Sequence, residues 1–129
     1  MTHRLELSLL PSRYAICRLS PGADVPAWVW GGVFASATRT SEELSLVCED
    51  SRVPAGTRAE RDRRALRVHG PLDLSLTGIL ASLTVALAEA KISIFVVSTF
   101  DTDYLLVQES DLERSISALE RAGHTIHRS

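Results

Sequence analysis

Polar and acidic residues in the second half of the chain gather in two segments that could bind a small charged molecule. The first leads into a predicted helix over Thr77–Ala90, whose first-turn N–H groups could bind a carboxylate with help from the helix dipole. Gly78 lacks a Cβ, so a ligand could approach the backbone closely there. Asp73, Asp101 or Asp103 could accept hydrogen bonds from an ammonium group, at about 1.5–3 kcal/mol for each bond.

Each of these residues also has a purely structural interpretation. Ser75 is placed to cap the predicted helix, and Gly78 could serve only the close packing of helix and sheet. Asp101 and Asp103 could do no more than order a turn between two strands. Phe100 could cover the aliphatic part of a ligand or belong to the core. Because donors, acids and an aromatic ring are concentrated in one loop and one facing connector, the binding interpretation is favoured.

The sequence predicts no catalytic residue, no metal centre and no cofactor. It contains no glycine-rich phosphate loop and no nucleophile-elbow motif. The histidines near predicted strand ends or termini are His3, His69, His124 and His127. His124 and His127 are three residues apart on a predicted strand, so they would face opposite sides and make a poor metal pair. We expect Cys17 and Cys48 to be small buried hydrophobic side chains in strands.

The composition is that of an ordinary globular protein. The 129 residues suffice for one ordinary domain or two very small ones. Hydrophobic residues at 45% and charged residues at 23% can build a core and exclude global disorder. The net charge of −2 and the 5% aromatic content argue against binding to nucleic acids or anionic membranes. Glu6 interrupts any signal peptide, and no apolar run could span a bilayer, so we expect a cytoplasmic protein.

The first half of the chain is predicted to be rich in β-strands. The predicted strands are Leu5–Leu10, Tyr14–Leu19, Val33–Arg39 and Glu43–Cys48. The first two should form a hairpin across Pro11–Arg13. A short helix over Val25–Trp30 follows, with Asp24 as its cap, and its two tryptophans could close a core or form an exposed patch. The mixed-sign segment Glu49–Arg64 is predicted to be a solvated linker.

The second half alternates strand and helix patterns. Its predicted strands are Ala65–His69, Ile92–Val97, Tyr104–Gln108 and His124–His127. The helix over Thr77–Ala90 has an apolar stripe at helical spacing. A second helix should start at a capping box, Ser110–Glu113, and stop at Gly123. The βαββαβ order over residues 65–128 predicts an α+β fold with an antiparallel ferredoxin-like sheet.

The segments Gly70–Leu83 and Ile92–Val107 resemble ACT-domain proteins, and more closely the small bacterial tandem-ACT proteins related to the CASTOR arginine sensors. In the first half, Tyr14–Leu19, Ser36–Cys48 and Val53-Pro54 match the same bacterial group. The resemblance implies two ACT units, residues 1–60 as a reduced N-terminal unit with linker and residues 61–129 as an ACT domain. It also implies a homodimer that binds an amino acid where ACT units meet.

By this resemblance, two walls would hold the ligand. One wall would consist of Asp73, Ser75, Leu76, Thr77, Gly78 and Ile79, and the other of Thr99, Phe100, Asp101 and Asp103. The arginine sensors carry an acidic residue where this chain has Leu76, so the implied ligand is an amino acid of unspecified side chain.

Two other functions are compatible with the sequence. The chain could be an interaction module without a ligand, which uses a sheet edge or the Trp28 and Trp30 side chains to bind a partner protein. It could instead be a small enzyme with Asp73, Asp101 and Asp103 as acid or base groups. No nucleophile or oxyanion arrangement accompanies these acids, so a non-enzymatic regulatory protein is the leading prediction.

Overall fold

The computed structural model describes residues 3–72 and 77–128. The strands and α-helices in these residues are β1 (Glu6–Leu19), β2 (Ser36–Arg39), β3 (Leu44–Glu49), β4 (Ala59–Val68), α1 (Ile79–Glu89), β5 (Phe95–Ser98), β6 (Asp103–Gln108), α2 (Leu112–Arg121) and β7 (Thr125–His127). The chain divides into two compact units. We call residues 12–63 the inserted unit, and residues 1–11 with 64–129 the terminal unit. The predicted division into residues 1–60 and 61–129 stays a prediction.

The terminal unit has the predicted order of strands and helices, β4-α1-β5-β6-α2-β7. Its strands lie in the order β7-β1-β4-β6-β5. β5 and β6 pair antiparallel, whereas β7 pairs parallel with the first residues of β1, so that Leu7 lies opposite Ile126. The amide of His69 donates to the carbonyl oxygen of Glu6 (2.8 Å). The start of the chain therefore forms a strand between the first and last strands of the βαββαβ unit.

The apolar positions of the two helices build the core of the terminal unit. In α1, Leu83 and Leu87 are fully buried, as their spacing predicts. In α2, the predicted apolar face is buried at Leu112, Ile116 and Leu119. These side chains pack with strand residues from one face of the sheet: Leu7, Leu66, Val68, Leu105 and Val107. Burial of these side chains holds α1 in place, and with it the site described below.

The beginnings of both helices differ from the prediction. α1 starts at Ile79 with Gly78 as its N-cap residue, and Ser75, the predicted cap, lies outside the described residues. α2 is preceded by a 3-10 helix, Glu109–Asp111, which contains Ser110, and Asp111 makes no side-chain capping bond. The capping-box prediction is therefore wrong.

The carboxylate expected to complete that capping box has a different partner. Glu113 accepts two hydrogen bonds from Arg128 (2.9 and 2.7 Å), which lower the pKa of its carboxyl group. The C-terminal end of α2 confirms the predicted stop at Gly123. This glycine follows α2 with φ of 101°, and its amide donates to Glu120 O (3.0 Å).

The predicted hairpin at Pro11–Arg13 is wrong, because β1 is one continuous strand of 14 residues. Its first part, Glu6–Ser8, pairs with β7, and its last part, Tyr14–Leu19, pairs antiparallel with β3. Pro11 lies between these two paired stretches. A proline that lacks an N–H is tolerated in a strand at such a position, and the Pro-Ser-Arg triplet therefore does not turn the chain.

Antiparallel strands make up most of the inserted unit. β2 pairs with β3, as predicted, and β3 pairs with β1. Residues 12–63 are all described and contain no α-helix. Cys17 and Cys48 are buried free thiols in the apolar core of this unit, as predicted. A hydrogen bond to the Cys17 thiol, together with burial, raises the pKa of Cys48, which keeps that thiol neutral.

The predicted helix over Val25–Trp30 is reduced to a 3-10 helix, Ala27–Val29. Pro26 is its N-cap residue, and no side chain caps it, so the capping role predicted for Asp24 is wrong. Proline at the N-cap position has no side-chain acceptor for the first amides of the helix. Val29 is fully buried, Trp28 is half-buried and Trp30 is 53% exposed. Only part of this segment therefore closes the core.

The predicted solvated linker Glu49–Arg64 is only partly correct. Asp50–Arg52 form a 3-10 helix, and β4 starts at Ala59. Arg61 holds the two pieces together, since it donates to Asp50 Oδ1 (2.9 Å) and to Val53 O (3.1 Å). The mixed charges therefore order this segment through specific pairs. None of the helices in the described part of the chain is long and apolar enough to cross a membrane.

Candidate functional site

A pocket of about 320 Å³ lies in the terminal unit where α1 begins beside the turn between β5 and β6. Its lining residues are Leu72, Gly78, Ile79, Leu80, Ala81, Ser98, Thr99, Asp101, Thr102 and Asp103. This volume falls in the range of small-molecule sites. None of these residues carries a positive charge, so a bound anion would depend on backbone N–H groups.

Two threonines build the turn on one side of the pocket. β5 and β6 pair up to Ser98 and Asp103. The amide of Thr99 donates to Thr102 O (2.8 Å), and the amide of Thr102 donates to the hydroxyl of Thr99 (3.2 Å). The turn is therefore closed by threonine hydroxyl and backbone bonds. The hydroxyl of Ser98 also donates to Asp103 Oδ1 across the turn (2.6 Å), so Asp103 helps to order the turn, as its structural interpretation predicts.

Thr102 anchors the turn to the sheet. Its buried hydroxyl donates to the carbonyl oxygen of Val68 (2.7 Å), the last residue of β4. We expect Thr102→Val to lower the free energy of unfolding by about 1–2 kcal/mol, because the lost bond leaves a buried acceptor without its partner. Chemical denaturation measures this change. Thr125→Val, at an exposed position of β7, is the matched control and should change stability by less than about 0.5 kcal/mol. Equal effects of the two substitutions would contradict the anchoring role.

The backbone of residues 70–72 packs directly on the same turn. The amide of Leu72 donates to Asp101 O (2.7 Å). A Cβ on Gly70 would lie 2.9 Å from the same carbonyl oxygen, which is closer than real contacts allow. Glycine at position 70 thus permits the approach that brings the segment before α1 to the turn.

The start of α1 provides the hydrogen-bond donors of the site. The first N–H groups of a helix have no partner within the helix. The N-cap residue, Gly78, has φ of 81° and no side chain that could accept a bond from them. These donors, with the positive end of the helix dipole, suit a carboxylate. His3 donates from Nε2 to the carbonyl oxygen of Thr77 (3.0 Å), which fixes the backbone just before Gly78.

The opposite side of the pocket carries two carboxylates. Asp101 is exposed, and Asp103 is half-buried. Asp103 Oδ1 accepts a hydrogen bond from the hydroxyl of Ser98 (2.6 Å), which orients the carboxylate. A carboxylate offers about four acceptor positions, so this bond leaves capacity for a ligand. The pocket therefore combines donors at the helix start with acceptors at the turn.

The structure brings together half of the predicted site residues. The ones that line the pocket are Gly78, Ile79, Thr99, Asp101 and Asp103. Thr77 is adjacent to the pocket but is not part of its lining. Phe100 is 81% exposed and lies outside the lining, so its interpretation as a core residue is wrong. The remaining predicted residues, Asp73, Ser75 and Leu76, lie outside the described residues.

Sequence reasoning did not identify several lining residues. Leu72, Leu80 and Ala81 carry no chemical signal, because they contribute only apolar surface. Ser98 and Thr102 do carry one. They lie in the polar connector Ser98–Asp103, where short hydroxyl side chains commonly bond to nearby backbone groups. That preference could have identified Thr102 as a turn residue.

Comparisons with known proteins show the family to which the chain belongs. Residues 58–121 match the family model of the ACT domain, and residues 12–56 match a second model that describes an N-terminal domain. Protein Atu0741 from Agobacterium tumefaciens, known from its crystal structure, is 41% identical. The match covers 99% of this chain and 96% of that one, with a TM-score of 0.94. The chain belongs to the same family as Atu0741 and carries an ACT domain.

This ACT-domain protein is also similar to more distant structures. VC0802 from Vibrio cholerae, described as a possible transport protein, is 22% identical with a TM-score of 0.72, over 92% of this chain and 90% of that one. The regulatory subunit of aspartate kinase from Thermus thermophilus is 11% identical with a TM-score of 0.61, over 88% and 96%. At these identities the likeness concerns the fold alone. No curated protein matches the chain.

These matches confirm the coarser predictions. The protein contains an ACT domain, and its fold is mixed α/β with antiparallel strands, consistent with the ferredoxin-like prediction. ACT domains are regulatory domains that generally bind small molecules and often oligomerise. The reduced first ACT unit, the link to the CASTOR group and the identity of a ligand stay predictions.

Proposed function

We propose that this protein is a non-enzymatic regulatory protein that binds a free amino acid in the pocket at the start of α1. The observation that carries the proposal is the pairing of opposite chemistries across one pocket. The amides of the first turn of α1, which follow Gly78, suit the carboxylate of an amino acid, and Asp101 and Asp103 suit its ammonium group. Free amino acids carry these two groups only a few ångströms apart.

The comparisons support a regulatory role. The ACT domain is a regulatory domain, and one structural neighbour is a regulatory subunit of aspartate kinase. A regulator acts when its ligand binds one conformation more tightly than another, and the difference in affinity sets the shift in population. The relation to the CASTOR group belongs to this proposal. Because Leu76 replaces an acidic residue of the arginine sensors, the proposal leaves the side chain of the amino acid open.

The first test is a thermal-shift panel of the twenty amino acids. At a concentration one hundred times its dissociation constant, a ligand should stabilise the protein by about 2.7 kcal/mol. Asp103→Asn keeps the shape and the bond from Ser98 but removes the charge. We expect this substitution to lower the affinity about 10- to 100-fold for the amino acid that stabilises the protein, as the loss of one charged hydrogen bond predicts.

The control for this test is Asp24→Asn, at an exposed position of the inserted unit. It should leave the thermal shift unchanged. If none of the twenty amino acids shifts the unfolding temperature at millimolar concentration, the proposal is wrong. It is also wrong if the two aspartate variants lose the same fraction of affinity, because the charge at Asp103 would then have no specific role.

A homodimer and a cytoplasmic location are further parts of this proposal. ACT domains often oligomerise, which supports the homodimer. Light scattering after size exclusion should give twice the mass of 14.1 kDa. A monomer at micromolar concentration would contradict the dimer.

One observation favours the second candidate, an interaction module without a ligand. Trp30 and Val33 are 53% and 69% exposed on either side of Gly31-Gly32 in the inserted unit. Large exposed apolar side chains are typical of surfaces that bind a partner protein. This candidate would be favoured over the amino-acid-binding regulator by two results together. No amino acid would shift the unfolding temperature, and Trp30→Ser would abolish binding to a partner protein.

A further inference from the structure

Three neighbouring strands of the terminal unit bring two histidines and a glutamate together on one face of the sheet. Glu6 lies near the start of β1, His127 at the end of β7, and His69 directly after β4. β7 pairs with β1 on one side, and the His69 amide bonds to Glu6 O on the other. Because strand residues alternate between faces, the buried Leu7 points to the core, while Glu6 lies on the opposite face.

The side chains of this cluster are close enough to share one ion. The nearest ligand atoms of Glu6, His69 and His127 all lie within 4.8 Å of one another. His127 donates from Nε2 to Glu6 Oε1 (2.8 Å), and the rings of His69 and His127 stack with centroids 5.1 Å apart and 15° between their planes. Ligand atoms on a tetrahedral zinc are roughly 3.4 Å apart. Side-chain rotations that move the ligand atoms by about 1 Å would therefore bring them to the spacing of a zinc site.

An ordinary surface ion pair explains only part of this arrangement. It accounts for the contact between His127 and Glu6, but not for a second imidazole, that of His69, which a hydrogen bond to Ser8 (2.6 Å) holds against the ring of His127. Two imidazole rings held this close can donate their ring nitrogens to one cation. A carboxylate and two imidazoles form the ligand set of several zinc and iron centres.

The neighbours of the cluster suit a metal site. Ser8 Oγ lies 2.6 Å from His69 Nε2, and Ser8 is the strand partner of His127. This hydroxyl can orient an imidazole or occupy a further coordination position. Glu6 and His127 are exposed and His69 is half-buried, so an ion can enter from solvent. The backbone pairing of three strands holds the ligands in place before any ion binds.

We propose that Glu6, His69 and His127 bind one divalent transition-metal ion of the zinc class. The ion takes the place of the hydrogen bond between His127 Nε2 and Glu6, the proton of that nitrogen is released to solvent, and water completes the coordination of the ion. Imidazole ligands favour Zn²⁺, Cu²⁺ or Ni²⁺ over Mg²⁺ and Ca²⁺, which prefer oxygen ligands. The site uses none of the residues that line the amino-acid pocket. The proposal therefore stands or falls independently of the proposed function.

Titration calorimetry with ZnCl₂ on the full chain without an affinity tag tests this site. We expect one ion per chain with a dissociation constant in the micromolar range or below, and no binding of Mg²⁺. Each substitution of a cluster residue should lower the affinity for Zn²⁺ at least about tenfold: His69→Gln, His127→Gln and Glu6→Gln. Even the loss of an outer-shell partner of a metal ligand lowers metal affinity 10- to 100-fold. The matched controls are His3→Gln and Glu60→Gln, the latter at an exposed position of the inserted unit, which remove the same side-chain types outside the cluster and should bind Zn²⁺ as the unmodified chain does.

A second measurement decides the case if a variant fails to fold. Addition of paramagnetic Co²⁺ to the unmodified chain should broaden the imidazole resonances of His69 and His127 first, and those of His3 and His124 later or not at all. Absence of Zn²⁺ binding at millimolar concentration would overturn the proposal. Equal weakening by cluster and control variants, or broadening that starts at another histidine, would overturn it as well.

Discussion

Replacement of Leu83 by alanine is expected to lower the free energy of unfolding by about 3–4 kcal/mol. Leu83 is fully buried at the centre of α1 and packs in the core of the terminal unit. Removal of a buried leucine side chain loses its transfer free energy and leaves a cavity that the surroundings fill only in part. Because α1 carries Gly78, Ile79 and Leu80 into the pocket, the variant should also bind the amino acid more weakly. Urea denaturation measures the change in stability.

Val85→Ala is the matched control for this prediction. Val85 lies two residues further along the same helix but is 53% exposed. Little apolar area is lost there, and alanine has the higher helix propensity, so stability should change by less than about 0.5 kcal/mol. A loss below about 1 kcal/mol for Leu83→Ala, or equal losses for both variants, would contradict the described packing of α1.

Replacement of Asp50 by alanine is expected to lower the free energy of unfolding by about 2–3 kcal/mol. Its carboxylate accepts from Arg61 Nη1 (2.9 Å) through one oxygen and from the amide of Asp62 (2.8 Å) through the other. Hydrogen bonds to charged groups contribute about 1.5–3 kcal/mol each, and the partly exposed position of Arg61 reduces the sum. The variant also leaves the Arg61 guanidinium without its carboxylate partner.

The control for Asp50 is another acidic residue of the same segment. Glu60 on β4 forms an ion pair with Arg63 at 3.6 Å, but its side chain is 77% exposed. Exposed pairs of this kind contribute little, so Glu60→Ala should cost less than about 0.5 kcal/mol. Similar results for the two variants in urea denaturation would mean that the segment is not ordered by Asp50.

The sequence predicts the second half of the fold well, because its local patterns are unambiguous. The apolar spacing of Leu83 and Leu87 in α1, and of Ile116 and Leu119 in α2, can be satisfied only by a helix with one buried face. The continuous apolar residues of β5 and the glycine after α2 agree with this pattern. Local preference and tertiary packing point to the same structure at these positions.

The errors of the prediction, in both halves of the chain, have a tertiary origin. Pro11 indicates a turn when only neighbouring residues are considered, but β1 continues through it because two different strands pair with its two ends. Ser110 and Glu113 have capping-box spacing, but Arg128 binds Glu113 from a position 15 residues away. Partners that are distant in sequence leave no local pattern from which they could be predicted.

The candidate site shows the same division. The polar connector Ser98–Asp103 and the glycine before α1 identify both sides of the pocket from residue types alone. The cluster of Glu6, His69 and His127 escapes prediction, because its members are up to 121 residues apart and meet only through strand pairing. The sequence predicts that His124 and His127 make a poor metal pair; in the structure His124 is buried, and its Nδ1 accepts from the amide of Leu5 (3.1 Å).

The most direct test of the central claim is a ¹⁵N-HSQC titration of the protein with the amino acid that gives the largest thermal shift. The account predicts saturable shifts concentrated at the amides of Gly78–Ala81 and Ser98–Asp103, with the rest of both units nearly unchanged. Shifts concentrated in the inserted unit, or no saturable shifts with any amino acid at millimolar concentration, would contradict an amino-acid site at the start of α1.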